Sequence, residues 1–212
     1  MVIAIDGPAG AGKSTVARGL ADALGITYLD SGAMYRCVAL AVKRAQADPD
    51  DPNQATGVAS DIDVAFDGGR VLLDSDDVSD QIRSPEISAL ASRVSVHPGV
   101  RETMVMRQRE MISRGPYVAE GRDIGTVVSP ESPLKVFLVA DEGERARRRA
   151  AESGQPVDEV LDELADRDRR DIEREHGALQ AAGDSVQVDT TAVSPDQVVE
   201  RIAEIARERG LV

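Results

Sequence analysis

Apolar positions along the chain fall into two patterns, short continuous runs and longer helical stripes. Short apolar runs predict buried parallel strands, which we place at residues 2–5, 117–120 and 134–140, and two further strands are predicted at residues 26–30 and 185–189. Apolar residues spaced three and four apart predict amphipathic helices, which we place at residues 13–24, 32–45, 85–95, 98–113 and 195–209. Strands that alternate with helices predict an α/β fold of three layers, with a mostly parallel sheet of about five strands.

The period of the pattern changes between residues 62 and 79. There "IDVAFDGGRVLLD" places apolar runs on both sides of Gly68 and Gly69, which predicts a hairpin. We therefore expect one domain over residues 1–212 that carries a small α+β insert over residues 61–97. Farther along, "ESGQP" joins two predicted helices, and we interpret residues 149–160 as a lid.

Composition excludes some classes of function. The net charge of −13 argues against a general nucleic-acid-binding protein, because phosphate backbones select basic surfaces. The longest apolar runs are too short to span a bilayer, and "MVIAID" has no secretory signal pattern. The single cysteine, Cys37, leaves no internal disulfide and is expected to be a buried apolar residue. We expect a cytoplasmic enzyme with no membrane partner.

Residues 7–14, "GPAGAGKS", match the pattern G-x-x-x-x-G-K-[ST] between a predicted strand and a predicted helix. The glycines let backbone N–H groups turn toward phosphates, and the helix N-terminus adds partial positive charge. Lys13 is expected to reach the β- and γ-phosphates of ATP, and the Ser14 hydroxyl to bind Mg²⁺. The predicted nucleotide-binding residues are Gly7, Pro8, Ala9, Gly10, Ala11, Gly12, Lys13, Ser14 and Thr15.

Several classes of protein use such a loop. A GTPase needs an N-K-x-D segment, but Asn53 is the only asparagine and glutamine follows it. A motor or repair ATPase usually binds nucleic acid or a protein partner, and the net charge disfavours the former. A small-molecule kinase and a binding module that holds ATP without transferring it both remain open.

Two segments after predicted strands offer groups for a phosphate acceptor. "DSGAMYR" brings a hydroxyl, an aromatic ring and a guanidinium to the end of the second strand, and "EGRDIGT" follows the third. The carboxyl edge of an open α/β sheet is where such folds bind ligands. Ordinary roles compete: Ser31 can cap a helix, and Arg122 and Asp123 can form a surface ion pair.

The predicted helices carry further cations, because several of their arginines are spaced to lie on one helical face. Arg167, Arg170 and Arg174 share one helical face with Asp171 beside them. Another face, on the preceding helix, carries Arg145, Arg148 and Arg149, whose roles stay open; for Arg148 and Arg149 a ligand role and ordinary surface ion pairs are equally open.

Taken together, these segments resemble the bacterial cytidylate kinase family. The segments that carry the resemblance are "IDGPAGAGKST", "DSGAMYR", "VR" at 100–101, "EGRDIGTVV" at 120–128 and "RDRRDIER" at 167–174. The insertion at residues 62–95 also looks like that family's enlarged monophosphate-binding region. The resemblance runs through nearly the whole chain.

This resemblance implies a P-loop kinase that phosphorylates the small molecules CMP and dCMP, with ATP as donor and Mg²⁺ as metal. The acceptor site implied is Ser31, Tyr35, Arg36, Ser92, Arg101, Arg122, Asp123 and Asp171. Within it Arg36 and Arg101 suit the phosphate, Ser92, Arg122 and Asp123 suit the cytosine, and Asp171 suits the ribose. The catalytic cations implied are Lys13, Arg122, Arg167 and Arg174.

The sequence leaves open the role of Glu120 and the identity of the acceptor. Glu120 ends a predicted strand and either reaches Mg²⁺ through water or orders the loop. His97 and His176 are expected to have no catalytic role. We expect a monomer, and a kinase for another acceptor such as UMP remains the alternative among enzymes.

Overall fold

The structure is a computed structural model that describes residues 1–211. Its internal contacts cluster in two units, one formed by residues 1–30 with the chain from residue 109 onward, the other by residues 31–108. The insert predicted over residues 61–97 falls within the second unit. The single domain and the lid at 149–160 stay predictions.

A five-stranded parallel sheet forms the centre of the first unit. Its strands are β1 (Val2–Asp6), β2 (Thr27–Asp30), β6 (Tyr117–Gly121), β7 (Leu134–Val139) and β8 (Val186–Asp189). Their spatial order is β2-β6-β1-β7-β8, so the first strand lies in the middle of the sheet. Every residue of β1 is buried, as a run without polar alternation requires. The predicted parallel sheet of about five strands is confirmed.

Four helices complete the first unit: α1 (Lys13–Leu24), α6 (Glu142–Ser153), α7 (Val157–Glu173) and α8 (Pro195–Glu208). The apolar stripes of α1 and α8 pack with the strands in one core, which includes the fully buried Ile3, Leu20, Leu138 and Ile202. Gly25 ends α1 in the left-handed conformation, and Ser194 forms a capping box with Gln197 at the start of α8. Packing and capping thus agree with the sequence pattern.

The second unit contains α2 (Ser31–Arg44), α3 (Pro52–Asp61), α4 (Pro85–Val94) and most of α5 (Pro98–Ile112). Its small antiparallel sheet consists of β3 (Val64–Asp67), β4 (Arg70–Leu73) and the short β5 (Asp76–Asp77). Gly68 and Gly69 both have positive φ and form the turn between β3 and β4, so the hairpin is confirmed. Cys37 is fully buried in α2, as expected.

The sequence pattern missed α3 and a π-helical turn, besides the short β5 and a 3₁₀ turn at Gln81–Arg83. Asp51 caps α3 through the backbone N–H groups of Asn53 and Gln54, with Pro52 in the first turn, but the short stretch has few large apolar residues. A π-helical turn at Ile124–Val128 follows β6. Among the described residues, none of the helices has both the length and the apolar character that a membrane span needs.

Candidate active site

The loop between β1 and α1 has a backbone conformation that depends on its glycines. Gly7, Gly10 and Gly12 all have positive φ, a conformation that side chains with a Cβ rarely adopt. Gly7 also lies so close to the Leu138 carbonyl that a Cβ would collide with it. The loop ends at the N-terminus of α1, where unpaired N–H groups and the helix dipole favour negative charge. The backbone predicted from the glycine spacing is therefore present.

Lys13 is the buried cation of this loop. Its ammonium donates a hydrogen bond to the Pro8 carbonyl at 2.7 Å. Burial, followed by the neighbouring charge of Arg122, lowers the pKa of Lys13 to about 7, although Glu120 opposes the shift. A phosphate anion placed beside this group would favour its charged form, so the loop is arranged for an anionic ligand.

Four side chains that follow β6 and lie on or just after α7 form an ionic network. Arg122 Nε donates to Asp171 Oδ2 at 2.8 Å, and Arg174 lies within 3.4 Å of the other Asp171 oxygen. Arg174 also comes within 3.9 Å of Asp123 Oδ1. All four side chains are at least four-fifths buried, so their charges interact in a poorly screened environment. The structure thus brings together four of the residues predicted for the site.

The charges around Asp171 determine its ionisation. Burial alone would raise its pKa, but Arg122, Arg167 and Arg174 together hold the pKa of this carboxyl below its usual value. Arg167 also acts electrostatically on Lys13, as does Arg122. The phosphate-loop lysine and the three predicted catalytic arginines therefore lie in one electrostatic cluster.

Asp6 holds the turn that carries Arg122 and Asp123. Its two carboxylate oxygens accept the backbone N–H groups of Ile124 at 2.8 Å and Gly125 at 2.7 Å. These are the first N–H groups of the π-helical turn, and the side chain of Asp123 makes no capping bond there. Burial raises the pKa of Asp6 to about 6, although both backbone bonds oppose the shift. Asp6 is thus a tertiary cap for the turn.

A cluster of oxygen atoms lies beside Ser14. The Tyr28 hydroxyl donates a short hydrogen bond to Glu120, which also has a hydrogen bond with Ser14. Burial, then the charge of Asp30, raise the pKa of Glu120, whereas Lys13 opposes this. Hydroxyl and carboxylate oxygens are ligands that Mg²⁺ prefers, so the donors around Ser14 fit that ion. Within residues 1–211, His, Cys, Asp and Glu form no group of three or more arranged to hold a metal alone.

The second unit holds the remaining predicted acceptor residues. Arg101, 3% exposed, places its guanidinium carbon 5.5 Å from the centre of the Tyr35 ring, a cation–π contact between α5 and α2. Ser92 on α4 is buried, and its hydroxyl has no hydrogen-bond partner among the described residues. Ser31 is the first residue of α2 rather than a cap outside it, and Arg36 follows one turn later.

The three arginines of α6 that the sequence places on one helical face have different surroundings. Arg149 forms an exposed ion pair with Glu152 on its own helix. Arg148 donates to the Thr190 carbonyl at 2.6 Å after β8, where the Thr190 hydroxyl donates to the carbonyl of Ala11. Arg145 is buried against the phosphate loop itself. The three arginines of this helical face therefore make three different kinds of contact.

Sequence reasoning missed Asp6 and Tyr28 and left the role of Arg145 open. Asp6 contacts the turn after Asp123, Tyr28 contacts Glu120, and Arg145 contacts the phosphate loop, each through a pair that is far apart in the chain. Asp6 had a local signal, since it ends a buried strand directly before the glycine loop. No signal in the sequence indicated the partners of Tyr28 and Arg145, because the spacing of residues along one element does not show which neighbouring element will pack against it.

Comparison with solved structures supports the fold. A gluconokinase from Sinorhizobium meliloti has a TM-score of 0.52 at 17% identity, over 99% of this chain and 93% of that chain. A shikimate kinase from Acinetobacter baumannii has a TM-score of 0.50 at 18% identity, over 100% of this chain and 95% of that chain. At such identities the likeness shows the fold alone, an α/β fold around a parallel sheet.

Comparison with related sequences identifies the family of this chain. The family model described as cytidylate kinase matches residues 3–208. A cytidylate kinase from Geobacter sulfurreducens is 45% identical, over 99% of this chain and 94% of the relative. Another, from Mycobacterium avium, is 46% identical over 100% of this chain and 97% of the relative. With the phosphate loop and the ionic network beside it, these matches show that the chain belongs to the cytidylate kinase family.

Proposed function

We propose that this protein transfers the γ-phosphoryl group of ATP to CMP and dCMP, giving ADP with CDP or dCDP. The observation that carries the proposal is the buried network of Arg122, Asp123, Asp171 and Arg174 beside Lys13. Family membership supports the same reaction. The reaction is a direct displacement, because the acceptor phosphate already carries an anionic nucleophile and needs no strong general base.

The donor binds at residues 7–15. Backbone N–H groups of the loop and the N-terminus of α1 hold the phosphates, and Lys13 contacts the β- and γ-oxygens. When bound, Mg²⁺ would neutralise charge on the β- and γ-phosphates, and Ser14 is the residue that would hold it. Glu120 fixes the Ser14 hydroxyl through its hydrogen bond, and Tyr28 in turn orients Glu120.

The acceptor nucleotide is recognised through its phosphate, its base and its ribose. Arg36 and Arg101 bind the phosphate of CMP, since paired guanidinium groups match phosphate oxygens, and Ser31 and Tyr35 contribute from the same part of the chain. Ser92, Arg122 and Asp123 read the cytosine, which presents one donor and two acceptors. Asp171 binds the ribose. The buried Ser92 hydroxyl supports this assignment, because a ligand would satisfy it.

Cations supply the catalysis. Lys13, Arg122, Arg167 and Arg174 stabilise negative charge that spreads over the transferring phosphoryl group and its oxygens. Closure of residues 149–160 excludes water, which would otherwise take the phosphoryl group and turn the kinase into an ATPase. We further propose that the protein works as a cytoplasmic monomer on free nucleotides.

A panel of acceptors tests the proposal. The protein is incubated with MgATP and separately with CMP, dCMP, UMP, AMP and GMP, and ADP formation is followed. We expect rapid turnover with CMP and dCMP and slower turnover with UMP. Faster turnover with another monophosphate would keep the kinase but overturn the cytosine-reading roles. Slow hydrolysis that no acceptor accelerates would favour a binding module.

A further inference from the structure

The peptide of Ala9 in the phosphate loop is held at both of its polar atoms by the two helices that follow β7. Arg145 on α6 donates from Nη1 to the Ala9 carbonyl at 3.1 Å. Asp168 on α7 accepts the Ala9 N–H at 3.4 Å through Oδ1. The second oxygen of Asp168 accepts from the same Arg145 nitrogen. Loop, α6 and α7 thus share one closed set of hydrogen bonds.

Packing reinforces this contact. A Cβ on Gly10 would lie 2.9 Å from Arg145 Cβ and 3.0 Å from the Arg145 carbonyl, so the loop runs directly against the backbone of α6. The Ala9 side chain joins a small apolar cluster with Ala146, Ala150, Val160 and Leu164. The side chains of Arg145 and Asp168 are 8% and 14% exposed, so this ion pair is poorly screened.

Asp168 lies on α7 close to residues of the proposed acceptor and catalytic site. Arg167 and Asp171 lie one and three residues away on α7, and both belong to the cluster proposed to bind and catalyse. In-line transfer needs the donor loop and the acceptor groups at a fixed separation, because small misplacements cost rate. A bond between the loop and this helix fixes that separation.

We propose that Arg145 and Asp168 are positioning residues, which hold the phosphate loop in its nucleotide-binding conformation and at a fixed distance from α7. They act through Ala9 and need no contact with substrate. The inference rests on the proposed function only in taking residues 7–15 as the donor site. It assigns Arg145 a role that the arginine spacing alone left open.

Conservative variants test this role against matched controls. Asp168→Asn keeps an acceptor for the Ala9 N–H but removes the charge paired with Arg145, and Arg145→Lys removes the forked guanidinium. The controls are Asp166→Asn and Arg147→Lys, which alter exposed ion pairs with Arg169 and Glu144 on the same two helices. Each variant is assayed for kcat with CMP, for affinity for the magnesium complex of AMP-PNP, and for CMP affinity without donor.

We expect each positioning variant to lower kcat and weaken AMP-PNP binding about tenfold, the size of one lost charge-assisted hydrogen bond. Affinity for CMP alone should stay within about twofold of the unchanged protein, as should all three properties of both controls. The double variant should be little worse than the more damaged single variant, because both changes break the same contact. A residue that served only global stability would not separate donor affinity from acceptor affinity.

Two results would overturn the inference. One is that Asp168→Asn and Arg145→Lys behave like the two controls while folding normally. The other is that donor and acceptor affinities fall together. Failure of the proposed function is distinguishable, because an unchanged protein that makes no CDP would still allow the AMP-PNP affinities to be compared.

Discussion

At the scale of single residues, the site is an alternation of charges. Arg122, Asp171, Arg174 and Asp123 follow one another through space, each acid lying against at least one guanidinium. Against the effect of burial, Arg122, Arg167 and Arg174 lower the pKa of the buried Asp171 carboxyl, so this group stays ionised. A cytosine edge, with a donor amine beside acceptors, can bind to such a pair by bonding to the acid and the arginine together.

Asp123→Asn tests the base-reading role. The variant keeps the size of the side chain but replaces one acceptor oxygen by a donor, so we expect the KM for CMP to rise about tenfold or more. Affinity for ATP should change little, since the phosphate loop is untouched. Steady-state kinetics with each substrate varied in turn gives both values.

The control for this change is Asp184→Asn. Asp184 is an exposed carboxylate of the same unit that pairs with Lys135, away from the network. An Asp123→Asn protein that uses CMP as well as this control does would remove Asp123 from the acceptor site.

Some residues of the site could be predicted from the sequence better than others. The phosphate loop was predictable because its chemistry needs backbone N–H groups and therefore glycines at fixed spacing. Arg122 and Asp123 were found because they follow a buried strand and match a family segment. Arg145 and Asp168 were not paired in advance, since only tertiary packing brings α6, α7 and the loop together.

At the scale of elements, the π-helical turn after β6 depends on an acid from another strand. Val128 donates to the Asp123 carbonyl and Ser129 to that of Ile124, five residues back in each case. This wider turn leaves its first N–H groups to Asp6, at the end of β1. One carboxylate therefore links the start of the phosphate loop to the turn that carries Arg122 and Asp123.

The ionisation of Asp6 gives this link a measurable pH dependence. Because its pKa is about 6 in the folded protein and near 3.8 ordinarily, the folded state keeps a proton that the unfolded state releases first. The stability contributed by that proton is present below about pH 4 and is lost as pH rises through about 6. Relative to Asp6→Asn, the free energy of unfolding should fall over this range, by up to about 3 kcal/mol.

Chemical denaturation of both proteins between pH 4 and 7.5 measures this difference. Subtracting the Asp6→Asn curve removes the titration of every other group that the two proteins share. A difference that rises with pH, or one that is flat, would show that the buried carboxyl does not keep its proton as described.

Elements were predictable where a periodic apolar pattern matched the final packing. The inner strands β1, β6 and β7 met this condition, and so did α1 and α8, whose stripes lie in one core. The edge strands β2 and β8 are only partly buried. In α3 only Ala55 and Ala59 are buried, so its stripe was too weak to detect despite the Asp51 cap. The π-helical turn has no sequence period of its own, and tertiary bonds from Asp6 support it.

At the scale of the whole molecule, the chain gathers cations locally within an acidic protein. The net charge is −13, yet Lys13, Arg122, Arg167 and Arg174 act on one another or on shared partners. Such a cluster attracts anionic nucleotides over a short range, while the overall charge disfavours long phosphate polymers. This distribution agrees with small phosphorylated substrates as the ligands.

The central claim is that the γ-phosphoryl group passes from ATP to CMP. The most direct measurement follows γ-labelled ATP with and without CMP and separates labelled CDP from labelled inorganic phosphate. We expect labelled CDP to form in step with ADP, CMP not to accelerate phosphate release, and Lys13→Ala to lose the transfer. Label that reaches only inorganic phosphate, whether or not CMP is present, would contradict this claim.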